Sequence, residues 1–452
     1  MKKLRNAFAM LFLTTKGNVK PKGGKVMKAK WYGPKQILMI IFTGILLLID
    51  ACIVGGSTNT VLPAMAEVHG WNINILNIFA GIGCIFDGLF VLVWAKFARR
   101  SAKKLAAVGL FVTAICLVIF GYTNSLPILL VMIMVMGIAG SMYASTAVMT
   151  LTANWWPTKK AAVLGYSTMG IILMSVVYAP YIPAAFAKIG IGPTNIGLAV
   201  IVAIMACISL FIVKDTPEEA GTTPDGMTGL DLARSKEISK ELAEYQSPYT
   251  FKKMIRNKNN WCITLAMGIS LMVAMTFIAT TIPALLSFGY SYPQAVMIFS
   301  IGGIVALVGS WTLGMVDLKI GTKKTVVIFL FIMLVGAISS CFMPRSIGAA
   351  WVAGMIFMFT NGGAKNLLPS YVATVYGRWD YPAAYRMIGT IALVMCGLGV
   401  MITGIFPSYM SLYIFDVVAV IIAIILAFIA KGTFIGKPDE NMEEVERQGA
   451  AS

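Results

Sequence analysis

The sequence predicts an all-α polytopic membrane protein with twelve transmembrane helices in two six-helix bundles. Three observations predict it: composition, the spacing of apolar runs, and the placement of basic residues. Of 452 residues, 58% are hydrophobic and only 12% charged, against about 25% charged in an ordinary soluble domain, so a water-soluble globular fold is excluded. A bilayer core about 30 Å thick takes about 20 apolar residues as helix, and no water is present there to satisfy an open backbone.

The runs follow in order. The first, 36–56, comes after a tail with ten Lys/Arg and no acid. The second, 72–94, follows a short polar loop that holds the one histidine, His69. A basic turn, Lys96 to Lys104, separates it from the third, 105–122, and the stretch Gly121 to Pro127 introduces the fourth, 127–152. The fifth and sixth, 161–183 and 196–213, complete the first half. After the one long hydrophilic segment come 261–284, 293–313, 325–343, 349–371, 387–405 and 409–430. The connections between them are short and built of Gly, Pro, Asn or Ser, as turns require.

Orientation follows from charge. With the N-terminus cytoplasmic, the inside segments hold 33 of the 36 Lys/Arg, the outside has Lys188 and Arg345, and Lys365 stays within a span. One missed helix would scramble this pattern. The net charge of +17 therefore reports topology; the basic residues lie between apolar runs, where a nucleic-acid surface would need a soluble fold. Ala7 to Leu13 after Met-Lys-Lys has the look of a signal peptide but lacks a cleavage site, and more basic residues follow. The tail reads instead as a cytoplasmic segment resting on anionic membrane lipids. All seven cysteines lie in apolar stretches without a CxxC, and a single imidazole builds no metal cluster, so neither disulfide, metal nor other cofactor is expected.

The hydrophilic segment divides the chain into a basic cytoplasmic N-tail (1–35), an N-terminal bundle (36–213), a central loop (214–260), a C-terminal bundle (261–430) and a cytoplasmic C-tail (431–452). Within the loop, Ser235 to Tyr245 has the charge spacing of a solvated helix. The halves echo each other at an offset of roughly 220 residues, as an internal duplication for rocking about a central site would produce. Arg99-Arg100 corresponds to Lys323-Lys324, and Trp155-Trp156-Pro157 through Gly170 corresponds to Tyr376 through Gly389.

Twelve spans as six plus six, a charged central loop and basic turns after spans two and eight resemble the major facilitator superfamily. That family's turn motif is usually Gly-x-x-x-Asp-Arg-x-Gly-Arg-Arg. Gly314-Met-Val-Asp317-Leu-Lys319-Ile-Gly321-Thr-Lys323-Lys324 keeps its residue types with altered spacing, while Trp94 to Lys104 has lost the glycine and the aspartate. Ala153-Asn-Trp-Trp-Pro157-Thr-Lys-Lys160, Gly165-Tyr-Ser-Thr-Met-Gly170, and Pro217-Glu-Glu-Ala-Gly221 with Pro224-Asp-Gly226 resemble the oxalate:formate antiporter-like branch, whose members carry organic anions. The oxalate carriers place cations in spans eight and eleven; neither span has one here, which argues against oxalate itself.

Four ionisable residues lie within spans: Asp50, Asp87, Lys365 and Asp416. Each costs about 2.5–3.5 kcal/mol at a helix centre on insertion scales, so each is expected to face protein and to have a partner or a task. The resemblance implies that spans one, four, seven and ten line a central cavity, which sets Asp50 and Lys365 on opposite sides of it. An ion pair that an anion or a proton breaks would couple binding to rocking. The competing structural readings are a permanent buried pair, or Lys365 snorkelling to the interface. Tyr143 and Tyr166 are the uncharged binding candidates, each with a hydroxyl and a π face. Asp87, Arg99, Arg100 and Asp317, with Asp50, are the candidates for proton coupling or gating. Asp416, near Tyr409 and Tyr413, is expected to make a structural hydrogen bond, and Trp155-Trp156 to sit in the interfacial belt.

These readings converge on a carrier in the cytoplasmic (inner) membrane that moves a small organic anion, a carboxylate, by alternating access, as proton symport or anion exchange. The alternative is a proton-coupled carrier or efflux pump for neutral or cationic compounds, since three of the four intramembrane charges are acidic. An enzyme or sensor working through the central loop is disfavoured, because that loop has no phosphate-cradling glycine motif and no histidine.

Overall fold

A computed structural model describes residues 33–55, 61–98, 100–156, 160–217, 219–222 and 245–437. The expected helix over Ser235 to Tyr245 falls, apart from Tyr245 itself, outside the described residues, as does Arg99. Among them, eleven helices are each long and apolar enough to cross a bilayer, and a bent pair supplies a twelfth crossing.

In chain order, α1 (Pro34–Asp50) runs on through a π-helical turn (Ala51–Gly55). The short α2 (Val61–His69) leads to α3 (Ile73–Ala98), α4 (Ala102–Tyr122) and α5 (Leu126–Trp155), whose segment Ser141–Ala147 is also π-helical. Helices α6 (Lys160–Val177) and α7 (Ile182–Ile189) meet at a 47° bend and make the fifth crossing, and α8 (Ile191–Phe211) closes the first half. In the second half α9 (Phe251–Arg256) precedes α10 (Lys258–Ser287), α11 (Tyr292–Ile320), α12 (Thr322–Ser340), α13 (Ile347–Gly377), α14 (Ala383–Thr403) and α15 (Tyr409–Ile429). Twelve crossings return the chain to the face on which α1 began. We call this the termini face and the opposite one the far face.

The helix ends follow local chemistry. Pro34, Pro127 and Pro293 occupy first turns, where a missing N–H costs nothing. The Ser101, Ser346 and Ser408 side chains accept from the first-turn amides of α4, α13 and α15. Gly377, at φ +64, makes the break between α13 and α14 that a side-chain-bearing residue would resist. The fifth span bends over Tyr178-Ala-Pro180-Tyr181-Ile-Pro183, where proline removes helical hydrogen bonds.

Within each half, glycine lets helices touch backbone to backbone. A side chain on Gly137 of α5 would strike the Gly83 carbonyl of α3, and one on Gly362 of α13 would strike the Ala306 carbonyl of α11. These crossings are equivalent at the offset of roughly 220 residues, so the repeat seen in sequence is a repeat of packing. Between the halves, α3 lies along α14: Gly404 abuts Asn74, Gly81 abuts Met401, Gly397 abuts Cys84 and Ile85, and Gly88 abuts Leu393. These contacts run from the far face to mid-membrane. At the far face, too, the Ser300 hydroxyl of α11 donates to the Ser175 carbonyl of α6 (3.0 Å).

On the termini face each half is tied by one carboxylate. Asp215 accepts from the Ser101 hydroxyl (2.6 Å) and the Lys103 amide (2.8 Å) at the start of α4, where the helix dipole favours an anion. Asp380, 1% exposed, accepts from the Ser247 hydroxyl (2.6 Å), the Lys437 amide (2.8 Å) and the Tyr245 hydroxyl (3.1 Å).

Two local expectations are corrected here. His69 ends helix α2 and stacks on Trp71 (4.4 Å) instead of lying in a loop. Trp155 and Trp156 are buried, not interfacial; the Trp155 indole donates to the Lys214 carbonyl (3.1 Å), which anchors the chain leaving α8.

Candidate functional site

Asp50 is the last α-helical residue of α1, and the wider π turn begins directly after it. The π segment of α5 carries Tyr143 and Ser145. Such turns rotate side chains out of the regular helical register and recur at functional sites. Two of them therefore face the middle of the N-terminal half, beside Asp87 on α3. From the other half, α13 contributes Lys365 and α14 contributes Cys396.

Three of the four intramembrane charges converge. The Lys365 ammonium acts electrostatically on Asp50 across the two halves, and also on the Cys84 and Cys396 thiols. Asp50 and Asp87 act on each other, and Ser145 is the hydroxyl within reach of Asp87. Yet no ion pair within 4.0 Å joins Asp50 to Lys365; among the described residues such a pair occurs at Lys103 and Glu219 (3.9 Å). The Asp50 Oδ1 and Asp87 Oδ1 atoms are buried without a hydrogen-bond partner. Asp50, Asp87 and Lys365 nevertheless each keep part of their surface accessible, although they lie deep between the helices. Deep placement with residual accessibility is what lining an internal cleft produces.

Lys365 opens onto a small cavity of about 10 Å³, lined by Thr168, Ile171 and Ile172 of α6 and by Asn361 and Gly362 of α13. It holds about one water, so a larger solute needs the halves to part there. A hydrogen-bonded chain crosses at this level: Thr168 Oγ1 donates to Asn366 Oδ1 (3.2 Å), and the Asn366 amide donates to Ser310 Oγ (2.5 Å). A larger cavity, about 30 Å³, lies inside the N-terminal half among Ile53, Leu62, Leu117, Ile133 and Met136. No ionisable carboxyl or amine lines it, so the chemistry belongs to the smaller one.

The other candidates are placed as follows. Tyr143 is fully buried, with the Thr113 hydroxyl within reach of its own, and it feels the charges of Asp50 and Asp87. Tyr166 is half-buried on α6, two positions before Thr168. Arg100 is exposed in the turn after α3. Asp317, near the termini-face end of α11, accepts from the Ser370 hydroxyl of α13 (2.5 Å), a contact within its own half. Asp416 is corrected. It is 1% exposed in α15, away from the central group, and among the described residues neither carboxyl oxygen has a hydrogen-bond partner.

Sequence reading missed the π turns, the Thr168–Asn366–Ser310 chain and the thiols beside Lys365. Polar residues in apolar helices were a signal for the chain. Nothing in one sequence signals which turn widens.

The Major Facilitator Superfamily profile matches residues 41–379. No curated protein matches the chain in sequence. Among solved structures, the chain is similar to a bacterial homologue of the human lysosomal transporter Spinster. With its inward-facing, unoccupied form it shares 14% identity at a TM-score of 0.63, over 88% of this chain and 97% of that one. With the inward-facing, occupied form the values are 15%, 0.65, 89% and 98%.

Proposed function

The chain belongs to the Major Facilitator Superfamily of membrane transporters, and from that membership we propose that it carries a small organic carboxylate across the cytoplasmic membrane by alternating access, with Lys365 as the carboxylate's anchor. The observation that carries this reading is an ammonium deep in the membrane region, on a small cavity between the halves, with no ion pair within 4.0 Å. A lysine in that setting costs about 2.5–3.5 kcal/mol on insertion scales, and an arriving carboxylate offsets that cost.

Asp50 supplies the coupling. It stands on the opposite half within electrostatic reach of Lys365. When a solute carboxylate takes the ammonium, Asp50 either accepts a proton, which gives symport, or waits for an exchanged anion. Binding then favours one arrangement of the halves to the extent that the solute touches both. Thr168, which lines that cavity, would contact the uncharged part of the solute, with Tyr166 a further candidate on the same helix, and Asp87 would exchange protons with Asp50.

A second reading, export of neutral or cationic compounds, draws support from the two carboxylates that share the site with one ammonium. A thermal-shift screen of the purified carrier separates the readings. We expect carboxylates to stabilise the wild type and not Lys365→Ala. Equal stabilisation of the mutant removes Lys365 from the site, and stabilisation by amines alone, lost in Asp50→Asn, selects the export reading.

A further inference from the structure

Resting on the carboxylate reading above, we infer that the solute is a zwitterion, which lays its carboxylate on Lys365 and its cationic group against Asp50. The argument is a charge count made at one place. The ionisable groups that face one another there are Asp50 on α1, Asp87 on α3 and Lys365 on α13. Tyr143 on α5, Cys52 after α1, Cys84 on α3 and Cys396 on α14 stand around them.

Two carboxylates and one ammonium leave one negative charge in excess. One proton on either carboxyl would make the empty cluster neutral. A plain carboxylate entering that cluster makes it negative again and requires a second proton. A plain amine makes it positive and requires that proton to leave. A zwitterion enters with no proton taken up or released, as a neutral solute does, but it alone also gives Lys365 and Asp50 a partner each. An unbalanced charge deep between helices is costly, so the dipolar guest is the one the existing residues accommodate.

Geometry points the same way. Acid and base come from different halves, and no ion pair within 4.0 Å bridges them. Two groups that would gain by pairing are held apart, with a cavity at the basic end. A guest with opposite charges at its two ends completes two ion pairs at once and joins the halves through itself. The cavity wall adds Ile171 and Ile172 for a short aliphatic body, and Thr168 and Asn361 for a polar substituent.

The test uses matched triples with the full-length purified carrier. Each α-, β- or γ-amino acid is compared with the carboxylate lacking its amine and the amine lacking its carboxylate, by thermal shift and by titration calorimetry. We expect one zwitterion series to bind at least roughly tenfold more tightly than either half-molecule, and the preferred spacing to report the gap between the two charges. In Asp50→Asn the zwitterion should fall to the affinity of its deaminated carboxylate, and in Lys365→Ala to that of its amine. The wild-type panel decides the matter even if a variant fails to fold. A carboxylate that binds as tightly as its amino acid overturns the zwitterion and leaves the carboxylate reading standing. An amine that binds as tightly, or a panel in which no carboxylate-bearing member binds, overturns both.

Discussion

A methyl group at Gly397 should shift the carrier away from the arrangement described here. Gly397 lies on α14 where it crosses α3 of the other half. A Cβ there would sit 2.7 Å from the Ile85 amide nitrogen and 2.9 Å from the Cys84 carbonyl carbon. Ordinary contact begins near 3.4 Å, so the helices must part locally by about 0.7 Å, and the obstacle is backbone that has no rotamer to change. Overpacking of this kind costs about 1–3 kcal/mol. The cost falls only on arrangements in which the halves touch at this crossing, whereas the helix-propensity gain of alanine over glycine, about 1 kcal/mol, applies to all arrangements alike. A differential of 1–3 kcal/mol changes an equilibrium about 5–150-fold. Spin labels at the exposed far-face residues Asn72 and Ser408, in a background without native cysteines, would read the separation of the halves by pulsed electron resonance. We expect Gly397→Ala to move population to longer distances. Gly314→Ala, whose added Cβ meets nothing within 4 Å, should not. An unchanged distribution in Gly397→Ala, or an equal shift in Gly314→Ala, would refute the claim that the α3–α14 crossing seals the far face.

Other substitutions test the packing around this frame. Asp416→Leu should leave thermal stability unchanged or raise it, because both carboxyl oxygens are buried without donors and an apolar side chain removes that penalty. A fall of more than about 1 kcal/mol would show that the carboxyl has a partner after all. Asp380→Ala should destabilise by about 1.5–3 kcal/mol and speed hydrogen exchange at 245–250 and 431–437, since three donors lose a charged acceptor; Asp380→Asn should recover part of it. Burial, and after it the Asp380 carboxylate, push the Tyr245 hydroxyl above the ordinary tyrosine range. Its contribution to this tie is therefore present at neutral pH and is lost only as pH rises through the raised value, which a melting series in alkaline buffers would follow.

All twelve runs were legible because hydrocarbon imposes a single rule on every span, and the rule is compositional. The repeat was legible in the matched turns Arg99-Arg100 and Lys323-Lys324; the equivalent crossings at Gly137 and Gly362 came from the packing. Boundaries and bends were less so. Pro180 and Pro183 were in plain view, but apolar content carried the fifth run through them, since composition is blind to where a helix breaks. At the site, Asp50, Asp87 and Lys365 stood out by their insertion cost, and they do converge. Asp416 stood out equally and lies apart, because cost says that a charge must be buried in protein without saying against what. Trp155 and Trp156 misled for a related reason: tryptophan at a span end favours the interface on average, and here both rings are packed inside the protein, with the Lys214 carbonyl partnering the Trp155 indole. The π turns beside Asp50 and Tyr143 depend on which backbone bonds lengthen when neighbouring helices pack, a property of the assembled bundle and not of any window of sequence.

The seal and the site use different interactions, and the difference bears on how the carrier would work. Along the far-face contact between α3 and α14 the halves meet through Gly81, Gly397 and Gly404 against backbone and apolar side chains, with the Ser300–Ser175 bond beside them. These contacts are made by backbone and apolar side chains, so parting them breaks no ion pair among the described residues. The charges are instead concentrated at mid-membrane and held out of direct contact. Had Asp50 and Lys365 been closely paired, the halves would be locked by their own side chains, and a solute would have to break that pair before binding. Left apart, on the proposed reading they would make the bound solute the bond between the halves at the centre, while glycine packing and the Ser300–Ser175 bond hold the far face. The two functions can then be tuned separately: Gly404→Ala, whose added Cβ would strike the Asn74 carbonyl at the far-face end of the crossing, should alter the balance between arrangements without touching solute selectivity, and Asp50→Asn should alter selectivity while the seal keeps its geometry.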